Sequence, residues 1–224
     1  MIRVFIGYDP RQVLSYTALA QSIVMHSSVP VAITPLVIET LPVKRTGLTP
    51  FTFSRFLVPY LCDYEGWALF LDADIAVCDD IAKLFALRDE SKAVMVSKNP
   101  LRFEWASVML FNCAKCKVLT PEYIETAKGL HGIEWAAEEE IGELPGEWNH
   151  LVGYDAPNPD AKLVHYTQGV PAFPETKDCE HADAWLKPAR MAGHITSWWE
   201  LMGNSVHARP VLERLGRLPA RSGS

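Results

Sequence analysis

Nowhere in this chain do apolar residues run on for the ~20 positions that a membrane-spanning helix needs, so no span is expected. Basic residues are also short: 21 Lys and Arg stand against 27 Asp and Glu, a net charge of −6. That balance argues against nucleic acid as the main partner. Cysteine is sparse, five residues in no regular framework, which excludes a disulfide scaffold and makes a reducing, cytoplasmic setting the expectation. Cys113 and Cys116 do form a C-x-x-C. Without a second cysteine pair or a neighbouring histidine pair, they read as small residues on a short helix after a strand. No leader is expected, because Met1 passes directly into the strand-like IRVFIGYD. Internal repeats and low-complexity tracts are missing too.

What is present describes an ordinary globular protein, 49% hydrophobic and 21% charged over 224 residues. That length suits one sizeable domain with a C-terminal appendage. Strand-like and helix-like runs alternate through the first half. RVFIG is followed by Asp9-Pro10, which reads as a helix N-cap with proline at the first helical position. Val13, Tyr16, Ala20, Ile23 and Val24 then predict one buried helical face through about Ser27. Residues 31–38, 67–72, 93–97 and 107–112 read as further strands. Helices are expected after Thr49-Pro50, broken or ended near Pro59, after Asp79 or Asp80, and after Thr120-Pro121. The expected fold is therefore α/β, a mostly parallel central sheet flanked by helices with ligands at the strand carboxyl ends. A short strand, KLVHY, is expected at 162–166, and the last fifty residues read as helical and peripheral, with a basic tail at Arg209, Arg214, Arg217 and Arg221. Trp198-Trp199 and that tail are the candidates for peripheral membrane or partner contact.

Residues 67–80, WALFLDADIAVCDD, hold the densest chemical signal. An apolar strand ends abruptly on Asp72-Ala73-Asp74, and apolar residues resume at Ile75. An unpaired carboxylate in such a setting costs several kcal/mol, and a second one beside it raises the cost of ionising either. A divalent cation resolves both difficulties.

The run SRFLVPYLCDYEGWALFLDADIAVCDDIAKLF resembles the metal-binding segment of family-eight glycosyltransferases with the GT-A fold. SVMLFN at 107–112, LPGEWN at 144–149 and KLVHYTQGVPAF at 162–173 resemble later segments of the same family, in the same order. The resemblance implies a GT-A catalytic domain over 1–175, with 176–224 as a helical extension and basic tail. It implies a metal site at Asp72, Asp74 and His165, whose donors suit Mn²⁺ or Mg²⁺. It places Tyr8, Asp9, Arg55, Asp72, Ala73 and Gly169 around the nucleotide sugar. Arg55 would bind the diphosphate or pair with a site carboxylate. Trp148 and Asn149 are candidates for sugar or acceptor contact, with a core role the alternative for the tryptophan.

The chain also departs from the family. Trp105-Ala106-Ser107-Val108 replaces its Asn-x-Gly-Val turn, and Val170-Pro171 follow Gly169 where a lysine is expected. The Asp-Gln-Asp sugar-pocket motif is missing, and only Glu138-Glu139-Glu140, read as a solvated helix face, stand near its place. The functional expectation is a metal-dependent transferase that takes a sugar from a nucleotide-diphosphate donor, UDP-linked, to a glycan, lipid or small-molecule hydroxyl. Retention of configuration is implied by the resemblance alone, and no catalytic base is assigned. A non-catalytic nucleotide-sugar-binding protein is the alternative. A nucleotidyltransferase fits poorly, since GYDPRQ is not the Gly-rich basic loop that it would carry after the first strand.

Overall fold

The computed structural model describes residues 1–194 and 196–217. Its main sheet runs in the order β2-β1-β3-β6-β5-β7, built from Ile2–Gly7 (β1), Val31–Leu36 (β2), Trp67–Leu71 (β3), Val94–Ser97 (β5), Val108–Asn112 (β6) and Ile141–Leu144 (β7). Five of these strands share one direction, and β6 alone opposes both of its neighbours. The central strands β3, β5 and β6 are buried along nearly their whole length, which explains their continuous apolar sequences. A small second sheet, in the order β4-β9-β8, is made of Ile75–Val77 (β4), His150–Leu151 (β8) and Leu163–His165 (β9). The strands β4, β7 and β8 are too short to carry a periodic signal, and the sequence reading does not include them.

The first helix, α1, begins later than expected, at Val13, and runs to His26. Asp9 is not its cap. The Asp9 carboxylate instead accepts the Arg11 N–H at 2.9 Å and the Arg11 guanidinium at 2.6 Å, closing a turn before the helix starts. The buried face is also rotated: Ser15, Ala18, Leu19, Ser22 and Ile23 face inward, while Val13 and Val24 are 47% and 64% exposed. Small residues are needed there because α1 packs closely on β4 and on α6 (Ala182–Ala192). Ser22 makes that contact polar, donating to the Leu19 carbonyl at 2.8 Å and accepting the Val77 N–H at 3.0 Å. Ser22→Ala leaves that buried N–H without a partner. The expected cost is about 1–3 kcal/mol in urea unfolding.

The helix after Thr49-Pro50 does break ahead of Pro59, into α2 (Phe51–Ser54), a 3₁₀ turn (Arg55–Leu57) and α3 (Val58–Leu61). Asp80 caps α4 (Ile81–Ala86) by accepting the Ala82 N–H at 2.9 Å, and Thr120 caps α5 (Pro121–Thr126) through the Tyr123 N–H at 3.2 Å. Cys113 and Cys116 sit buried on and just after a 3₁₀ turn at the end of β6.

The first compact unit extends to Ala192, past the expected boundary at 175, and a second unit begins at Gly193. α6 belongs to the first unit because Trp185, 1% exposed, and Ala189 pack in a satellite core with Ala18, Ala76 and Tyr166. The expectation that all of the last fifty residues are peripheral is corrected there. Within the second unit, α7 (Trp198–Met202) opens on a Ser197–Glu200 capping box and is followed by α8 (Ala208–Arg214). Trp198 and Trp199 are exposed, Arg209 pairs with Glu213 at 2.7 Å, and Arg221 lies outside the described residues. Among the described residues, no helix is long and apolar enough to cross a membrane.

Candidate metal and donor site

Asp72-Ala73-Asp74 forms the corner where the chain leaves the large sheet for the small one. The Asp72 N–H donates to the Ser107 carbonyl at 3.0 Å, extending the β3–β6 ladder by one step. The Asp74 carbonyl accepts the Tyr166 N–H at 2.9 Å, and β4 then pairs antiparallel with β9. That register sets Ile75 opposite His165 and brings the imidazole to Asp74, with Nε2 3.3 Å from Oδ1. One donor atom each from Asp72, Asp74 and His165 lie within 4.8 Å of one another.

The electrostatics of this group call for a cation. Burial pushes the Asp72 carboxyl up to about 7; Arg55 opposes that rise and Asp74 adds to it. Burial alone would raise Asp74 as well, but the His165 imidazole outweighs it and holds that carboxyl low. His165 is pulled down by burial, yet Asp74, Asp72 and Glu104 together raise it above an ordinary histidine. Three carboxylates thus face one guanidinium and one imidazole. The Asp72 Oδ1 is buried without a hydrogen bond, although it stands 3.0 Å from Arg55 Nη1. Two carboxylates, an imidazole and one orphaned buried oxygen fit Mn²⁺ or Mg²⁺.

Arg55 is 7% exposed, so its ion pair is not a surface one. It donates to Asp72 Oδ2 at 3.1 Å, to the Ala106 carbonyl at 2.9 Å and, through Nε, to the Thr52 carbonyl at 3.1 Å. Of the two roles expected for it, the geometry has it pairing with a site carboxylate. Asn149 is buried: its Oδ1 lies 3.2 Å from His165 Nδ1, and its Nδ2 donates to Ser107 Oγ at 3.0 Å. With its Nδ1–H held by Asn149, the ring turns Nε2 toward Asp74. Asn149 is therefore a positioning residue for His165. Trp148, a candidate for sugar contact, is corrected. At 1% exposure it is part of the main core and has no free face for a sugar ring.

A cavity of about 280 Å³ opens over the cluster, lined by Thr52, Arg55, Asp72, Asp74, Glu104, His131 and His165 among others. Tyr8, Asp9 and Gly169 do not line it. Tyr8 packs edge-on against Tyr16 with ring centroids 5.7 Å apart, and Asp9 is buried against Arg11. Ala73 lies in the core. Gly169, at φ +114°, holds a conformation that side chains rarely adopt, and its N–H already donates to the Tyr166 carbonyl at 2.8 Å. A larger cavity of about 390 Å³ is lined by Asn149, Lys98, Glu147, His150 and Asp155, among others.

Two site residues escaped the sequence reading. Glu104 lies on the 3₁₀ segment Arg102–Ser107 that enters β6, with Oε2 3.9 Å from His165 Nδ1, and burial raises its carboxyl. Nothing in its local sequence marks it as a site acid. His131 sits edge-on to Phe53 and Phe56, at 5.6 and 5.3 Å. Burial, with help from Arg55, pushes it down to about 4. An unfolded chain takes up that proton near pH 6.5, whereas the folded protein resists it until about 4. The His131 contribution to stability is thus present above pH 6.5 and is lost as pH falls toward 4. His131→Phe is expected to remove this component, seen as a smaller drop in the urea midpoint between pH 7 and 5 than in the parent.

No protein-family model matches the chain. Its fold is that of the GT-A glycosyltransferases. It superposes on the bifunctional glycosyltransferase WbbM with a TM-score of 0.66 at 15% identity, over 89% of this chain and 50% of that one. The chain therefore spans about half of WbbM. It matches the galactosyltransferase LgtC, solved with donor and acceptor sugar analogues, with a TM-score of 0.59 at 11% identity, over 89% and 99% of the two chains. For the glycosyltransferase GlyE of Streptococcus pneumoniae TIGR4 the values are 0.59 and 15%, over 94% and 64%. Protein CDI of Arabidopsis thaliana is 40% identical over 220 residues, covering 82% of this chain and 84% of that protein. The chain belongs to the same family as Protein CDI.

Proposed function

We propose that the protein is a metal-dependent glycosyltransferase of the family-eight type that uses a nucleotide-diphosphate sugar, UDP-linked, with Mn²⁺ or Mg²⁺. The observation that carries this reading is the convergence of Asp72, Asp74 and His165 within 4.8 Å at the corner between the two sheets. In this reading those three residues hold the ion and Asn149 holds the His165 tautomer. When bound, the ion supplies Lewis-acid stabilisation of the negative charge that develops on the departing diphosphate. Arg55 opposes the rise of the Asp72 carboxyl and fixes it in place through its two-point contact with Asp72 and the Ala106 carbonyl. Glu104, a raised carboxylate on the cavity wall, is the residue we assign to accept the proton of the incoming hydroxyl. Retention of configuration follows from the family-eight resemblance.

A thermal-shift and turnover screen with UDP, GDP and CMP sugars, each with and without Mn²⁺, tests the proposal. Stabilisation by a UDP-sugar only when Mn²⁺ is present, together with release of UDP, is expected. No response to any nucleotide sugar under either condition would end it. The altered sugar-pocket motifs and the commitment of Arg55 to Asp72 favour a second reading, a nucleotide-sugar-binding protein without catalysis. That reading predicts the same metal-dependent stabilisation with no UDP released.

A further inference from the structure

The geometry points to a second metal site in the first compact unit, built by His150, Glu180 and His181 and suited to a zinc-class transition metal rather than Mn²⁺ or Mg²⁺. One donor atom from each of these residues lies within 4.8 Å of the other two. Glu180 bridges the pair: Oε2 is 3.1 Å from His150 Nε2, and Oε1 is 3.1 Å from His181 Nε2. Four donors around a zinc ion, each about 2.0–2.1 Å from it, stand roughly 3.3 Å from one another. The carboxylate–imidazole separations already approach that spacing. The two rings meet edge to face, with centroids 5.6 Å apart, and Glu180 lies within 3.1 Å of an Nε2 of each.

The surroundings have the features of a ligand shell. His150 is 2% exposed, and the Asp155 carboxylate faces its Nδ1 from 3.8 Å. Without metal, Nε2 donates to Glu180; with the Nε2 lone pair on a metal, the proton would move to Nδ1 on the Asp155 side. Glu180 is oriented by the Asn158 N–H, which donates to its Oε1 at 2.9 Å. The Asn158 carbonyl stands 2.8 Å from His181 Nε2. Without metal, that nitrogen donates its proton to the carbonyl. With metal, the proton resides on Nδ1 and the lone pair binds the ion. His181 holds φ +55°, a conformation uncommon outside glycine, and that places its ring against Glu180.

Two imidazoles and one carboxylate select differently from the oxygen-richer group at Asp72 and Asp74. The second site therefore loads zinc in the presence of millimolar Mg²⁺. Its place in the fold gives it a task. β8, which begins at His150, pairs with β9 so that Leu151 opposes His165. An ion here clasps the 180–181 segment to the strand beside the proposed donor-site histidine, independently of any nucleotide sugar.

The test uses the full chain, stripped with chelator, reloaded with Zn²⁺ in excess Mg²⁺ and desalted, with metal content read by emission spectrometry. Co²⁺ substitution supplies an independent readout through its visible absorption bands. One zinc equivalent is expected in the parent and in Asp74→Ala, whose donor-site group is broken. Glu180→Gln and His181→Gln are expected to weaken zinc binding at least 100-fold and to abolish zinc-dependent thermal stabilisation. Glu180→Gln keeps an acceptor for the Asn158 N–H, so its fold is expected to survive if the His181 variant fails. Retention of no zinc by the parent, or undiminished zinc in a folded Glu180→Gln, would leave a hydrogen-bonded cluster only and overturn the proposal. Loss of the zinc equivalent in Asp74→Ala alone would assign the metal to the donor site and overturn it equally.

Discussion

Asp74→Ala is expected to lower metal-dependent donor hydrolysis or transfer by about 10³-fold or more while the protein stays folded. The magnitude follows from the several kcal/mol that a Lewis acid contributes to a departing diphosphate, at 1.4 kcal/mol per factor of ten. Folding is spared because Asp74 is among the more exposed members of the group, at 32% of its side chain, and stands beside another carboxylate. Its removal relieves Asp72 of a like charge that raises its pKa. The measurement is UDP released against Mn²⁺ concentration, with the melting curve as the control for folding. Undiminished activity in a folded variant would sink the donor-site metal. Activity restored by raising Mn²⁺ would instead mean weakened but surviving ligation by Asp72 and His165.

Arg55→Met carries the largest expected effect on stability, about 3–5 kcal/mol, because it strands a carboxylate with one buried oxygen beside a second carboxylate. The loss also has a pH signature. In the parent, Asp72 titrates at about 7 when folded and near 3.8 when unfolded, so stability falls as pH rises through that window and levels off above it. Without Arg55 the folded value moves higher still, and the fall continues above pH 7. Urea unfolding in metal-free buffer should therefore show a larger deficit at pH 8 than at pH 5. Mn²⁺ is expected to recover part of it by supplying the missing positive charge. An equal deficit at both pH values would mean that Arg55 contributes packing against Phe51 and Phe70, with its charge of no consequence.

Both variants bear on residues that are legible in the chain itself. Asp72 and Asp74 stand out because two acids interrupt an apolar run, an anomaly visible without any fold. Strand and helix alternation gave the α/β class for the same reason, since buried parallel strands must be almost wholly apolar. Thr120-Pro121 and Asp80 were readable as caps because capping depends on a few neighbouring residues. Asp9 misled for a related cause. Its carboxylate has two local partners to choose between, and the Arg11 guanidinium wins over the helix amides.

Other features needed distant parts of the chain. The inward face of α1 is set by the close approach of β4 and α6, so Ser22 is buried and Val24 is not. Trp148 could not be assigned to core or site by its residue type, and only packing puts it in the core. Glu104 is the clearest case. Ligands were expected at strand carboxyl ends, but β6 runs against its neighbours. Reversal brings its amino end, and with it Glu104 and Ser107, to the corner that holds Asp72. Strand direction depends on which edges pair, and no local pattern of residues records it.

By itself, then, the sequence determined where the longer strands lie, where α2, α4 and α5 start, and that a charged anomaly sits at residue 72. Local periodicity and local hydrogen bonding suffice for those. The tertiary structure alone decided which carboxylates, imidazoles and amides meet, because each meeting is a pairing of segments far apart in the chain. His165 reaches Asp74 through the register of β4 with β9, and Asn149 then orients it. His150, Glu180 and His181 come together through the packing of two loops onto β8, a contact that spacing in the sequence does not encode.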